Sequence, residues 1–234
     1  MKIDITTQPD DETCGPTSLH AVYRYYRDNI SLEQTIKEVE RVKSGGTIAP
    51  LLGVHALKRG YQVKIYTFNL EIFDPSWFQS SEYSNEFLIG KLHSQVKVKH
   101  GKKFRESSKA FTDFLKLGGN VCHHDLSVDL LKKYFSTKTP ILTGLSATYL
   151  YQSPREKAGK KNEMLYDDIK GEPCGHFVVL SGYDESKRHV VVADPHRENP
   201  ISHNNYYKVS SVTLINAILL GVLTYDGNLL IIEK

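Results

Sequence analysis

The hydrophobic period changes partway along this chain, and that change constrains the fold more than any other feature. Up to about residue 59 the apolar spacing is helical: Leu19, Val22, Tyr23 and Tyr26 stand at i, i+3, i+4 and i+7. They describe the buried stripe of a helix beginning just after Cys14-Gly15-Pro16, where Pro16 suits a first turn whose N–H groups have no intrahelical partner. Ser31 and Gln34 read as a capping box before a second helix with Leu32, Ile36 and Val39 on one face. A third helix is predicted from about Leu51 to Arg59, ended by Gly60 in the left-handed conformation. From Tyr61 the period becomes two. Val63 and Ile65 alternate with Gln62 and Lys64 in a strand to about Phe68. Further strands are predicted at 140–145, 176–183, 190–194, 206–209 and 228–232, with a helix at 127–134. Helices first and an antiparallel sheet afterwards argue for an α+β fold.

A chain of 234 residues with 40% hydrophobic side chains can bury one sizeable core, so a single domain over 1–234 is expected. Two polar stretches, near 74–109 and 149–175, read as insertions. The first ends in a basic run from Lys97 to Lys109, with six Lys and Arg against one Glu, and the second holds Arg155 to Lys161. Such runs describe solvated faces. The net charge of +3 is concentrated in them, leaving the remainder acidic, so nucleic acid is not an expected partner. Met1-Lys2-Ile3-Asp4-Ile5 lacks the apolar run of a secretory signal, and no stretch approaches the roughly 20 apolar residues of a membrane span. Three cysteines, an odd number, do not form a closed disulfide set, and a cytoplasmic location is expected.

Cys14 stands at the start of a predicted helix, where the positive end of the macrodipole and unpaired N–H groups favour thiolate. A cysteine taken alone is more often a small buried hydrophobe, so its chemistry depends on a base. His176 opens the strand at 176–183 and Asp194 closes the strand at 190–194. A hairpin with the three-residue loop Asp184-Glu185-Ser186 sets Tyr183 opposite Lys187 and therefore His176 opposite Asp194. Directly opposed residues share a face, close enough for a carboxylate to hold an imidazole N–H. Gln8, six residues before Cys14, offers a side-chain amide that can join the Cys14 backbone N–H in holding an oxyanion.

Other constellations compete. Cys122-His123-His124-Asp125 contains four metal-ligand types in a row, but strand alternation points them two and two in opposite directions, and no metal is expected there. Asp125 or Ser127 also reads as the cap of the helix that follows. Cys174, two residues before His176, is either an accidental neighbour or a thiol able to bond Cys14 on oxidation. His196 and His203 lie past Asp194 and read as surface.

Gln-x5-Cys-Gly-Pro-Thr from Gln8, Gly-His-Phe-Val-Val-Leu-Ser-Gly-Tyr-Asp from Gly175 and Val-Val-Ala-Asp-Pro from Val191 together carry a resemblance. They resemble cysteine peptidase family 39, the bacteriocin-leader-processing peptidases and their relatives of papain-like fold. The resemblance spans about residues 8–195, with its specific motifs at the two ends. It implies Cys14 as nucleophile, His176 as general base and acid, Asp194 as orienter and Gln8 in the oxyanion hole, with a peptide or protein substrate and no cofactor. Members that process Gly-Gly leaders are commonly fused to a membrane-spanning, ATP-driven exporter. This sequence has neither a span nor a phosphate-binding loop, so a stand-alone relative is expected. The expected function is cleavage of a peptide or isopeptide bond. A non-catalytic peptide-binding module of the same fold, or an acyl or amide transferase using the same triad, is the alternative.

Overall fold

The computed structural model describes residues 1–43, 45–79, 83–159 and 164–234. Three helices come first: α1 (Cys14–Tyr25), α2 (Leu32–Glu38) and α3 (Ala49–Lys58). Helix α1 includes Cys14 at its first position, slightly earlier than the periodicity predicts, and Leu19, Val22 and Tyr23 of its stripe are buried. The Ser31 hydroxyl accepts the Gln34 N–H at 3.1 Å, but the Gln34 amide turns to Glu38 at 2.7 Å, so half of the expected capping box forms. Gly60 takes φ +87° and ends α3, which lets the Tyr61 N–H reach back to the Ala56 carbonyl at 3.1 Å.

The chain continues through β1 (Gln62–Thr67), α4 (Asn85–Val98), α5 (Lys102–Lys116), β2 (Asn120–Cys122), α6 (Val128–Ser136), β3 (Ile141–Ser146) and α7 (Ala147–Tyr151). A hairpin of β4 (Glu156–Ala158) and β5 (Met164–Tyr166) precedes β6 (Gly175–Asp184), β7 (His189–Ala193), β8 (Tyr206–Ser210), α8 (Ser211–Leu220) and β9 (Asn228–Glu233). The main sheet has seven strands in the order β2-β1-β9-β3-β6-β7-β8. Every neighbouring pair is antiparallel except β1 with β2 at one edge. The α+β class is as expected, with the amino-terminal helices packed on an antiparallel sheet.

The sheet has helices on both faces, and alternation along β6 shows why. Phe177 and Val179 join Leu19, Leu52, Phe114 and Leu230 in the core under α1, α3 and α5. Val178 and Leu180 point the other way, into a core with Leu131 of α6 and Leu214 and Ile218 of α8. Helix α8 is absent from the sequence reading because apolar Val212, Leu219 and Leu220 stand on its exposed side, so no polar face marks the helical period.

Both stretches read as insertions hold regular elements. Within 74–109 the basic run is carried by two helices: Lys97 lies in the last turn of α4 and residues 102–109 begin α5, whose Phe104, Phe111 and Phe114 are buried while the lysines face solvent. Its charges decorate a helix that belongs to the core. Within 149–175 lie the end of α7 and the β4–β5 hairpin, and Lys160 and Lys161 of the second basic run fall outside the described residues. Among the described residues, no helix is long and apolar enough to cross a membrane.

Phe114 ties α5 to the sheet through close approach. Its ring occupies space that a Cβ at Gly53 or Gly119 would enter, at 2.6 and 2.3 Å. Phe114→Ala should lower the unfolding free energy by about 3–5 kcal/mol, as a large buried cavity does. Urea denaturation followed by far-UV circular dichroism measures it, with the m-value unchanged.

Candidate active site

The site forms where the start of α1 meets the ends of β6 and β7. Gly15 allows this approach: a Cβ there would stand 2.4 Å from Thr47 Cγ2 and 3.3 Å from the Phe177 ring. One turn on, the Ser18 hydroxyl donates to the Phe177 carbonyl at 3.0 Å and fixes α1 against β6. The segment before the helix is tied to the same region. The Gln8 N–H donates to the Pro195 carbonyl at 2.9 Å, and the amino-terminal amine donates to the Ser181 carbonyl at 2.8 Å. Cys14 is thereby held in the same cleft as His176, whose imidazole feels its thiol.

The expected pairing of His176 with Asp194 is present, but its register is not the expected one. The hairpin loop holds four residues, 185–188, and Tyr183 faces Val190 instead of Lys187, a displacement of three. An odd displacement reverses the facing of a strand, so it would send His176 and Asp194 to opposite sides of the sheet. A β-bulge at Ser181 removes one position. Beyond it Leu180 pairs Val192 and Val179 pairs Ala193, a displacement of two, which restores the shared face and makes His176 and Asp194 diagonal neighbours. The His176 Nε2–H donates to Asp194 Oδ1 at 2.8 Å, leaving Nδ1 for Cys14.

Asp194 has no solvent exposure and accepts four hydrogen bonds. Oδ1 takes the His176 N–H and the His196 backbone N–H, both at 2.8 Å, while Oδ2 takes the hydroxyls of Tyr151 and Tyr207, both at 2.7 Å. Burial opposes ionisation of Asp194, but the facing His176 and the two hydroxyls outweigh it and hold the carboxyl below its usual range. Burial likewise opposes charge on His176, and the Asp194 carboxylate and the Cys14 thiol outweigh it, so the imidazole is held above its ordinary pKa. Both tyrosines are raised well above 10, first by burial and then by the adjacent carboxylate, and remain donors.

Gln8 is half-buried and lines the same cleft as Cys14 and His176. One of its amide hydrogens holds the Asp10 carbonyl at 2.9 Å. Its second hydrogen, and the Cys14 N–H at the first position of α1, are the donors such a site can direct at an oxyanion. The cleft, about 520 Å³, also contains Tyr151, Cys174, His196, Phe177 and Asp226.

His196 corrects the sequence reading. It is not surface: its ring lies 6.3 Å from that of His176 and 6.2 Å from that of Tyr151, and burial followed by the charge of His176 lowers its pKa. Cys174 also lines the cleft, with its thiol pushed up by burial and by Glu156. Cys122 to Asp125 lie elsewhere, with His123 stacked on Phe78 at 5.6 Å and Ser127 serving as the helix cap. Tyr151 and Tyr207 are absent from the sequence reading. Alternation in the strand predicted at 206–209 carries a signal for Tyr207, which pairs Val192, whereas Tyr151 sits in a stretch with no period to read.

Residues 1–215 match the Peptidase_C39 like family. Among curated proteins none matches. Three solved structures resemble the chain along its whole length. A protein described as a C39-like peptidase, from Bacillus anthracis, is 13% identical with a TM-score of 0.51 over 100% of this chain and 95% of its own. The peptidase domain of Streptococcus ComA is 12% identical with a TM-score of 0.45, covering 100% and 99%. Xylellain, a cysteine protease from Xylella fastidiosa, is 14% identical with a TM-score of 0.42, covering 100% and 84%. The first of these carries the fold assignment.

The ion pair has a defined pH signature. A group whose folded pKa is raised contributes stability below its unfolded pKa and loses that contribution as pH rises through the folded value. In an NMR titration His176 should therefore titrate above 6.5, and Asp194→Asn should bring it down. The stability gap between the two proteins should narrow as pH climbs through the wild-type His176 midpoint. A His176 midpoint at or below 6.5 in the wild type would contradict this account.

Proposed function

The chain belongs to the Peptidase_C39 like family, and on that premise we propose that it is a cysteine peptidase working through Cys14, His176 and Asp194, with Gln8 at the oxyanion. The observation that supports this reading most is the His176 imidazole, bonded to the buried Asp194 carboxylate at 2.8 Å, lining the same cleft as the Cys14 thiol. A raised imidazole pKa favours transfer of the thiol proton to Nδ1.

In the proposed reaction the Cys14 sulfur attacks a peptide carbonyl and its C–N bond breaks as imidazolium His176 gives its proton to the leaving amine. Water then attacks the thioester. His176 takes a proton from that water, and Cys14 is released as the carboxylate product departs. Through both steps Asp194 keeps the imidazole in one tautomer and orientation and balances its positive charge. The two tyrosine hydroxyls and the His196 N–H hold Asp194 ionised and fixed, so they act as positioning groups. The Gln8 amide and the Cys14 N–H receive the negative oxygen of the tetrahedral intermediate.

Cys14→Ser should reduce peptide turnover by roughly 10⁴-fold or more while leaving circular dichroism unchanged, because the whole covalent route depends on the sulfur. Gln8→Ala should cost about 10²–10³-fold in kcat with a small effect on KM, the signature of a transition-state donor. Iodoacetamide should alkylate Cys14 faster than a free thiol at neutral pH. A Cys14 no more reactive than a free thiol, in a protein that still binds peptides, would favour the binding module. Product formed with an added amine in place of water would favour the transferase.

A further inference from the structure

A second carboxylate in the cleft has no role in the reaction just described. Asp226 lies between a short turn at Gly221–Thr224 and β9, and it is 7% exposed. Its Oδ1 is buried without a hydrogen-bond partner. The space around it is cleared by glycine. A Cβ at Gly175 would stand 2.1 Å from Asp226 Oδ2, and one at Gly144 would stand 2.3 Å from the Asp226 carbonyl. Tyr225 before it is held at φ +68°, a conformation that bulky residues rarely adopt. The carboxylate thus sits beside the residue that precedes His176, on a wall of the cleft shared with Phe177, Thr224 and Tyr225.

Burial pushes the Asp226 pKa up to about 7, against the nearby Thr224 hydroxyl and the positive charges of His176 and Lys103. A buried carboxylate oxygen left without a donor is costly. The rest of the cleft does not supply one. Among the described residues lining it, Asp11, Glu106 and Glu156 form no ion pair, Glu12 is engaged by Arg41 at 3.1 Å, and the only Lys or Arg is the exposed Lys103. Among the described residues lining the cleft, carboxylates outnumber Lys and Arg.

Resting on the peptidase reading above, we propose that Asp226 is a specificity-determining residue that receives the guanidinium or ammonium of an Arg or Lys within one or two residues of the bond to be cut. The ligand supplies N–H donors to the Asp226 carboxylate where it lines the cleft, and its charge meets a wall already rich in carboxylates. Gly144 and Gly175 are small because the Asp226 loop occupies the space of their side chains.

The test has two arms that separate this inference from the catalytic reading. In the first, wild type and Asp226→Asn are compared on peptide libraries varied at the positions flanking the cut. Wild type should prefer Arg or Lys at one position. Asp226→Asn should lose roughly 10- to 100-fold in kcat/KM on those peptides and little on their norleucine counterparts, as expected when a charge pair is removed from a buried site. In the second arm Cys14→Ala, which needs no turnover, is titrated with agmatine. Backbone amide signals of Gly175 and Asp226 should shift, and the shifts should be absent in the double variant with Asp226→Asn. If no peptide is cleaved yet agmatine binds at Asp226, the cation site stands and the peptidase reading falls. If peptides are cleaved without preference for a basic residue, or agmatine leaves those signals unmoved, the inference is overturned. Should Asp226→Asn fail to fold, the wild-type preference and inhibition of wild-type turnover by agmatine decide between these outcomes.

Discussion

Everything in the cleft is arranged around one carboxylate taken fully out of water. Asp194 has no exposure, and a bare charge in that position would be strongly unfavourable. It is tolerated because four donors converge on its two oxygens, and those donors come from four parts of the chain: β6, the residue two beyond Asp194, α7 and β8. Satisfying one side chain therefore ties β6, α7, β8 and the segment after β7 to a single point. The orientation of His176 follows from this, and so does the nitrogen it presents to Cys14.

Cys14 reaches that imidazole by a different means, through small residues and main-chain bonds. Gly15 gives α1 room against Thr47 and Phe177, Ser18 anchors the next turn to β6, and Gln8 is tied by its backbone to Pro195. The two sides of the site are thus fixed independently, one by a buried charge network and the other by close packing. Substitutions in the first should be read in the titration of His176, and substitutions in the second in the reactivity of the sulfur.

How much of this is legible in the sequence depends on whether local periodicity carried the information. The three opening helices and the strands at 62–67, 141–146, 175–184 and 228–233 follow from spacing and turn residues alone. The amphipathic α5 was obscured by its own lysines, since a basic run masks a buried stripe of phenylalanines unless the period is followed through it. The Cys14, His176, Asp194 and Gln8 set can be named from residue types and order. Its supporting shell cannot, because Tyr151 and His196 come to Asp194 from segments with no regular pattern, and only tertiary packing brings them there. The hairpin shows the same limit at finer scale. A three-residue loop and a four-residue loop with a bulge both bring His176 to the face of Asp194, and turn chemistry alone does not distinguish them.

That extra residue in β6 has an evolutionary corollary. The alignment of His176 with its acidic partner depends on a parity, odd or even, and parity cannot be changed by degrees. Point substitutions along the hairpin can retune the strength of the pairing without breaking it, but loss or gain of a single codon within β6 between positions 177 and 184 shifts the ladder by one and inverts the facing, unless a second length change compensates. Descendants of this gene should therefore conserve the length of this hairpin more strictly than its composition, and copies that have drifted out of use should betray themselves first by a frame-preserving indel there.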